Sequence, residues 1–217
     1  MEASFFHSDA KQVIRTHLTP RTRSTIRNIV GQAYILTDES IKHTPMLNWE
    51  LGQAHIGYLR NLAVGYLFQH QINQGNLSMS YTFEHNRTKT YKYLVLTHNN
   101  VKMTFSQVDS KYKTARPAYF RDKLQAVNQG TMYFPDIDGD LLLSLDEVYL
   151  LLTYSRGGNA PNFINIGFPN LWRERINLMD EPTLVESSNE LEKEEVITPE
   201  QLIEFRNFVT EVEGLGN

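Results

Sequence analysis

Residues 91–108 read "YKYLVLTHNNVKMTFSQV". In the second half, Val101, Met103 and Phe105 alternate with Lys102, Thr104 and Ser106. A period of two sends alternate side chains to opposite faces of a strand. The first half is apolar and aromatic, as a strand prefers. Between the halves stands Asn99-Asn100, a pair that tolerates positive φ. The stretch therefore predicts a tight antiparallel hairpin, and a sheet with one core face and one wet face.

Upstream, "LSMSYTF" predicts a further strand. Before it, "MLNWELGQAHIGYLRNLAVGYLFQHQI" predicts the longest helix, roughly 46–72, opened by Thr44 and Pro45. Trp49, Ile56, Leu59, Ala63 and Leu67 are spaced for its buried stripe. Gly52, Gly57 and Gly65 suit close approach of another backbone. Glu50, His55, Arg60 and His70 are assigned to a solvated or satisfied edge. Nearer the N-terminus, "SDAKQVIRTHL" predicts a short helix. A second helix starts with Thr19 as N-cap and Pro20 at the first helical position. Arg23 and Arg27 share a face of it. Two packing helices with exposed arginines are preferred here over a helix–turn–helix. "DESIKHTP", 38–45, is read as a polar break.

Downstream come a loop, a helix from Pro117 to about Gly130, and strands "TMYF", "VYLLLTYS" and "FINIGF". "PNLWRERINL" fits a brief helix or strand. Residues 181–197 are acidic and read as a linker. In 198–217, Thr198 caps, Gln201 completes a capping box and Gly214 closes an amphipathic helix. Its apolar stripe is Leu202, Phe205, Val209 and Val212. The expected fold is α+β: N-terminal helices and a long core helix on a mostly antiparallel sheet. Residues 1–180 form one domain, followed by the linker and the C-terminal helix.

The chain has 217 residues, 41% hydrophobic, enough for a sizeable core without covalent staples. It has no cysteine, which excludes disulfides, thiolate metal sites and cysteine nucleophiles. No apolar run reaches the length of a membrane span, and the N-terminal stretch has no signal-peptide pattern. A cytoplasmic protein with no membrane partner is expected.

Charge is unevenly spread. Residues 1–123 carry +8 and residues 124–217 carry −12, giving the net −4. The excess is concentrated in 87–123: Arg87, Lys89, Lys92, Lys102, Lys111, Lys113, Arg116, Arg121 and Lys123 face only Asp109 and Asp122. Tyr91, Tyr93, Tyr112, Tyr119 and Phe120 are interleaved. Cations bind phosphates and aromatic rings stack on bases. A solvated sheet face that resists edge aggregation explains the cations as well.

"PDIDGDLLLSLDE", 135–147, resembles the loop of an EF-hand. Asp136, Asp138, Asp140, Ser144 and Glu147 take the side-chain positions for calcium, with the Leu142 carbonyl between. Against a site, Leu141 stands where the loop needs glycine. Gly130 and Pro135 also interrupt any entering helix. A turn at Asp138-Gly139 is preferred, with a divalent cation, Ca²⁺ or Mg²⁺, as the alternative. Glu84 with Asp109 and Lys111 could serve a metal-dependent nuclease. One such acidic-x-Lys triplet is expected by chance in this composition.

No phosphate-binding glycine loop, nucleophile elbow or zinc motif occurs. The expected function is therefore binding or regulation, without catalysis or cofactor, of an anionic partner, most simply nucleic acid. The alternative is a protein-interaction module, inhibitor- or antitoxin-like, acting through the acidic C-terminal region. A metal-dependent hydrolase is third.

Overall fold

Thr19 starts a helix as expected. Its Oγ1 accepts a hydrogen bond from the Thr22 N–H at 3.2 Å, and Pro20 opens the first turn. In the computed structural model, residues 10–126, 128 and 147–182 are described. A short α1 (Ala10–His17) leads into α2 (Pro20–Lys42). The expected break at Asp38 does not occur, and α2 is the longest helix. Its apolar stripe continues through Leu36 and Ile41. Thr37 and Ser40 bond back to the carbonyls of Ala33 and Leu36, each at 2.7 Å, so their hydroxyls are satisfied inside the helix.

The expected helix over 46–72 is instead divided. Thr44 and Pro45 lead into turns, followed by one helical turn, α3 (Glu50–Gln53), and then α4 (Ile56–Asn73). Gly52 shows why the chain is crowded here: a Cβ would stand 2.6 Å from the Leu47 carbonyl oxygen. Trp49 is therefore 54% exposed rather than part of the buried stripe, while Leu59, Ala63 and Leu67 are buried as expected.

Among the described residues, six strands follow in the order β1 (Ser80–His85), β2 (Lys92–His98), β3 (Val101–Val108), β4 (Val148–Ser155), β5 (Ile164–Gly167) and β6 (Ile176–Asn177); the expected strand at 131–134 lies outside the described residues. All neighbours are antiparallel except β3 and β4, whose register runs from Val101–Val148 to Val108–Ser155. The architecture is α+β. Asn99, at φ +51, closes the two-residue hairpin between β2 and β3.

One face of the sheet carries the main core. Leu96, Met103, Leu150, Leu152, Ile164 and Ile166 pack with Ile14, Ile29, Val30, Ala33, Val64 and Phe68 of the helices. The other face is not the wet face expected. Leu151 joins Ala115 and Trp172 in a second, smaller core. Thr104 is buried and hydrogen-bonds the Tyr149 hydroxyl at 2.7 Å. The described part of the connection from β3 to β4, residues 109–126 and 128, covers this side. It contains α5 (Tyr119–Ala126), and Asn128 bonds both the N–H and the carbonyl of Tyr149. A parallel pair needs such a crossover, and β4 is buried from Tyr149 to Ser155. "PNLWRERINL" forms both alternatives, a 3₁₀ turn (Pro169–Glu174) and then β6.

Arg23 is buried, contrary to the exposed position expected for it. Its Nε donates to Glu181 Oε2 at 2.6 Å and its Nη1 to the Leu18 carbonyl. Arg15 Nε lies 3.5 Å from the same carboxylate, and Arg27 Nη1 donates to the Glu181 carbonyl at 3.3 Å. Glu181, at the start of the expected linker, is thus pinned to α1 and α2. The C-terminal residues Leu202, Phe205, Val209 and Val212 lie outside the described residues.

Candidate anion-binding cleft

β2 and β3 begin as a regular ladder. His98 pairs with Val101, Thr97 with Lys102, and Leu96 with Met103. Continuing that register would set Leu94 against Phe105 and Lys92 against Gln107. The pairing stops first. β2 stays paired with β1 as far as Lys92, and β3 with β4 as far as Val108, so the two strands part. Each side is held by a different neighbour. Phe105 stacks on Phe68 of α4 with ring centroids 5.7 Å apart. A Cβ on Gly65 would lie 3.4 Å from the Phe105 ring, an ordinary van der Waals contact. Tyr93 stacks on Phe120 of α5 at 3.9 Å. Between them is a cleft of about 1390 Å³, bordered also by the first half of α4 and the loop 156–159.

Among the described residues, five cationic residues line the cleft: Arg60, Lys89, Lys92, Arg121 and Arg156. Asp38 is the one carboxylate residue among its described lining. Arg60 is 2% exposed. Its guanidinium lies 3.9 Å from the centre of the Tyr34 ring. Nη2 donates to the Gly158 carbonyl at 3.0 Å and lies 3.4 Å from Asp38 Oδ1. Nε and Nη1 have no hydrogen-bond partner. The charge thus has partners in Asp38 and Tyr34, but two of its N–H groups are left unsatisfied, a cost that an incoming anion relieves.

The same deficit recurs around it. Arg121 donates through Nη1 to the Arg116 carbonyl at 2.7 Å, but its Nε is unpaired. Burial pulls its pKa below the ordinary arginine value, against the opposing influence of Tyr149 and Tyr91. Gln107 Nε2 and Gln69 Oε1 are also buried and unpaired. Most buried polar atoms find partners in folded proteins. Among the described residues, five of the seven exceptions belong to residues lining this cleft, Thr153 Oγ1 and Trp172 Nε1 being the other two, and four of these five atoms are N–H donors. Tyr58, Phe83 and Tyr91 are each about half exposed beside the cations.

Of the nine cations singled out by sequence, Lys89, Lys92 and Arg121 line the cleft. Arg87 lies 5.3 Å from the Tyr119 ring. Lys102 is at the other end of β3, paired with Glu147 at 2.8 Å. Lys111 lies beside Tyr112, and its carbonyl accepts from Asn165 at 3.0 Å. Lys113, Arg116 and Lys123 are exposed outside the cleft lining. Of the candidate calcium ligands, Glu147 is the partner of Lys102, while Asp136, Asp138, Asp140 and Ser144 lie outside the described residues. Glu84 accepts from the Tyr93 hydroxyl at 2.8 Å, and Asp109 faces Arg156 at 3.4 Å. The described residues contain no group of three His, Asp or Glu able to hold a metal ion.

Arg60 and Arg156 were not among the nine. Arg60 is expected on a solvated or satisfied edge, yet it is buried: it follows Leu59 and stands four residues before Val64, inside the buried stripe. That position is the sequence signal for a buried cation. Arg156 carries no such signal, since only the fold of the Gly157-Gly158 loop brings it to the cleft. Comparison with protein-family models, with curated proteins and with solved structures returns no match. Among the described residues, no helix is long and apolar enough to cross a membrane.

Proposed function

We propose that this is a cytoplasmic, non-enzymatic binding protein that holds an anionic partner, single-stranded nucleic acid in its simplest form, in the cleft between β2 and β3. One observation carries the proposal: among the described residues, five cationic residues against one carboxylate line a cavity, and four buried N–H groups on its lining residues lack acceptors. Phosphate oxygens are strong acceptors and carry the complementary charge. The half-exposed rings of Tyr58, Phe83 and Tyr91 offer stacking faces for unpaired bases. The cavity exceeds the size of an ordinary small-molecule pocket, which suits a short run of nucleotides. A duplex hides its base faces.

Fluorescence anisotropy with labelled single-stranded DNA, single-stranded RNA and duplex tests it. Single strands bind at low salt, binding weakens as salt rises, and duplex binds less well. Absence of binding to any of the three at low salt defeats the proposal.

A further inference from the structure

We infer that Arg60 receives a terminal phosphate, the phosphomonoester at the end of a strand or on a mononucleotide. This inference rests on the cleft being the nucleic-acid site. One face and one edge of the guanidinium are already occupied. One face is covered by the Tyr34 ring, and the Nη2 edge is held by the Gly158 carbonyl and approached by Asp38. Gly157 and Gly158 both have left-handed φ, +79 and +76, on the backbone path that turns that carbonyl to Arg60. What remains is Nε and Nη1 on a side chain that is 2% exposed. An internal phosphodiester must enter and leave such a floor with chain on both sides. A terminal phosphate enters with chain on one side only.

Charge favours the same group. A monoester carries nearly two negative charges near neutrality, whereas a diester carries one. Lys92 and Arg121 line the cleft as well, so the second charge is matched there. A monoester also presents three oxygens, enough to meet both unpaired nitrogens of Arg60 and a third donor such as Gln107 Nε2.

The test uses the full chain and oligonucleotides of one sequence and length bearing a 5′-phosphate, a 3′-phosphate or only hydroxyl ends. One phosphorylated end is expected to bind at least about tenfold tighter than the hydroxyl-ended strand. Competition by a mononucleotide, but not by its nucleoside, places the ligand class among free nucleotides as well as strand ends; competition by neither confines it to strand ends. Arg60→Gln is expected to abolish the preference while hydroxyl-ended strands still bind in a salt-dependent manner. Asp38→Asn removes the competing carboxylate and is expected to increase the preference severalfold, a gain that a misfolded variant does not give. Equal affinity for all three ends, with binding intact, overturns this inference and leaves the cleft reading standing. Failure of every oligonucleotide to bind overturns both. Equal competition by an acidic peptide overturns the assignment to phosphate.

Discussion

The sharpest prediction concerns how binding responds to salt when two cleft lysines are removed. For single strands, log K falls with log salt at a slope of about −0.7 per phosphate neutralised. Five cations line the cleft, but Asp38 lies near Arg60 and Asp109 faces Arg156, leaving about three uncompensated. The wild-type slope is therefore expected to be about −2. Lys89 and Lys92 are exposed, so replacing them leaves the core intact. Lys89 has φ +57, so Lys89→Asn suits the backbone, and Lys92→Gln keeps length without charge. The double variant loses about 1.4 of the slope, leaving about −0.7. Its binding line converges with wild type at high salt. Anisotropy titrations of one labelled strand across a salt series measure both slopes. Lys113→Gln with Lys123→Gln removes equal charge outside the cleft and leaves the slope at the wild-type value. An unchanged slope in the first variant, or an equal loss in the second, refutes the assignment of the cleft.

Three further outcomes follow from the packing. Glu181→Gln leaves buried Arg23 without its charged partner and lowers stability by about 2 kcal/mol, read as a shift of the urea midpoint; Glu181 is partly exposed, which moderates the loss. Two glycines respond oppositely to alanine. Gly65→Ala meets only ordinary contact with Phe105 and stabilises α4 by about 0.5–1 kcal/mol, whereas Gly52→Ala forces a methyl against the Leu47 carbonyl and destabilises by about 1–3 kcal/mol; thermal melts of both separate the cases. Burial, and then the charge of His98, hold His17 below its ordinary pKa of 6.5. The folded state thus binds this proton less readily than the unfolded chain, so the contribution of His17 is complete above pH 6.5 and is lost as pH falls below it. Urea midpoints measured from neutral to mildly acidic pH decline less steeply in His17→Gln, and an identical decline refutes this origin.

Much of the fold could be read because it is encoded locally. The Asn99-Asn100 turn, the Thr19-Pro20 start and the alternation in β3 depend on neighbours in sequence. Two misreadings had nonlocal causes. α2 runs through Asp38 and Glu39 because its inner face stays buried and its hydroxyls bond within the helix. The face of β4 is covered because Ala115 and Asn128, from the described part of the β3–β4 connection, pack and hydrogen-bond against it. Charge counting found Lys89, Lys92 and Arg121, but sequence clustering could not separate them from Lys102, which Glu147 neutralises across 45 positions. Arg156 reaches the cleft through the tertiary path of a loop, beyond the range of any local pattern.

The interrupted ladder also bears on how the molecule opens. Eight residue rows join β3 to β4, whereas three join the β1–β2 ribbon to β3. That seam is the weakest line between long strands, so the ribbon detaches before the rest of the sheet, much as a cover lifts along a short spine. A guest gripping both lips of the gap acts as a clasp. Amides of β2 would then exchange with deuterium more slowly when the guest is bound, while those of β4, buried on both sides, would scarcely change.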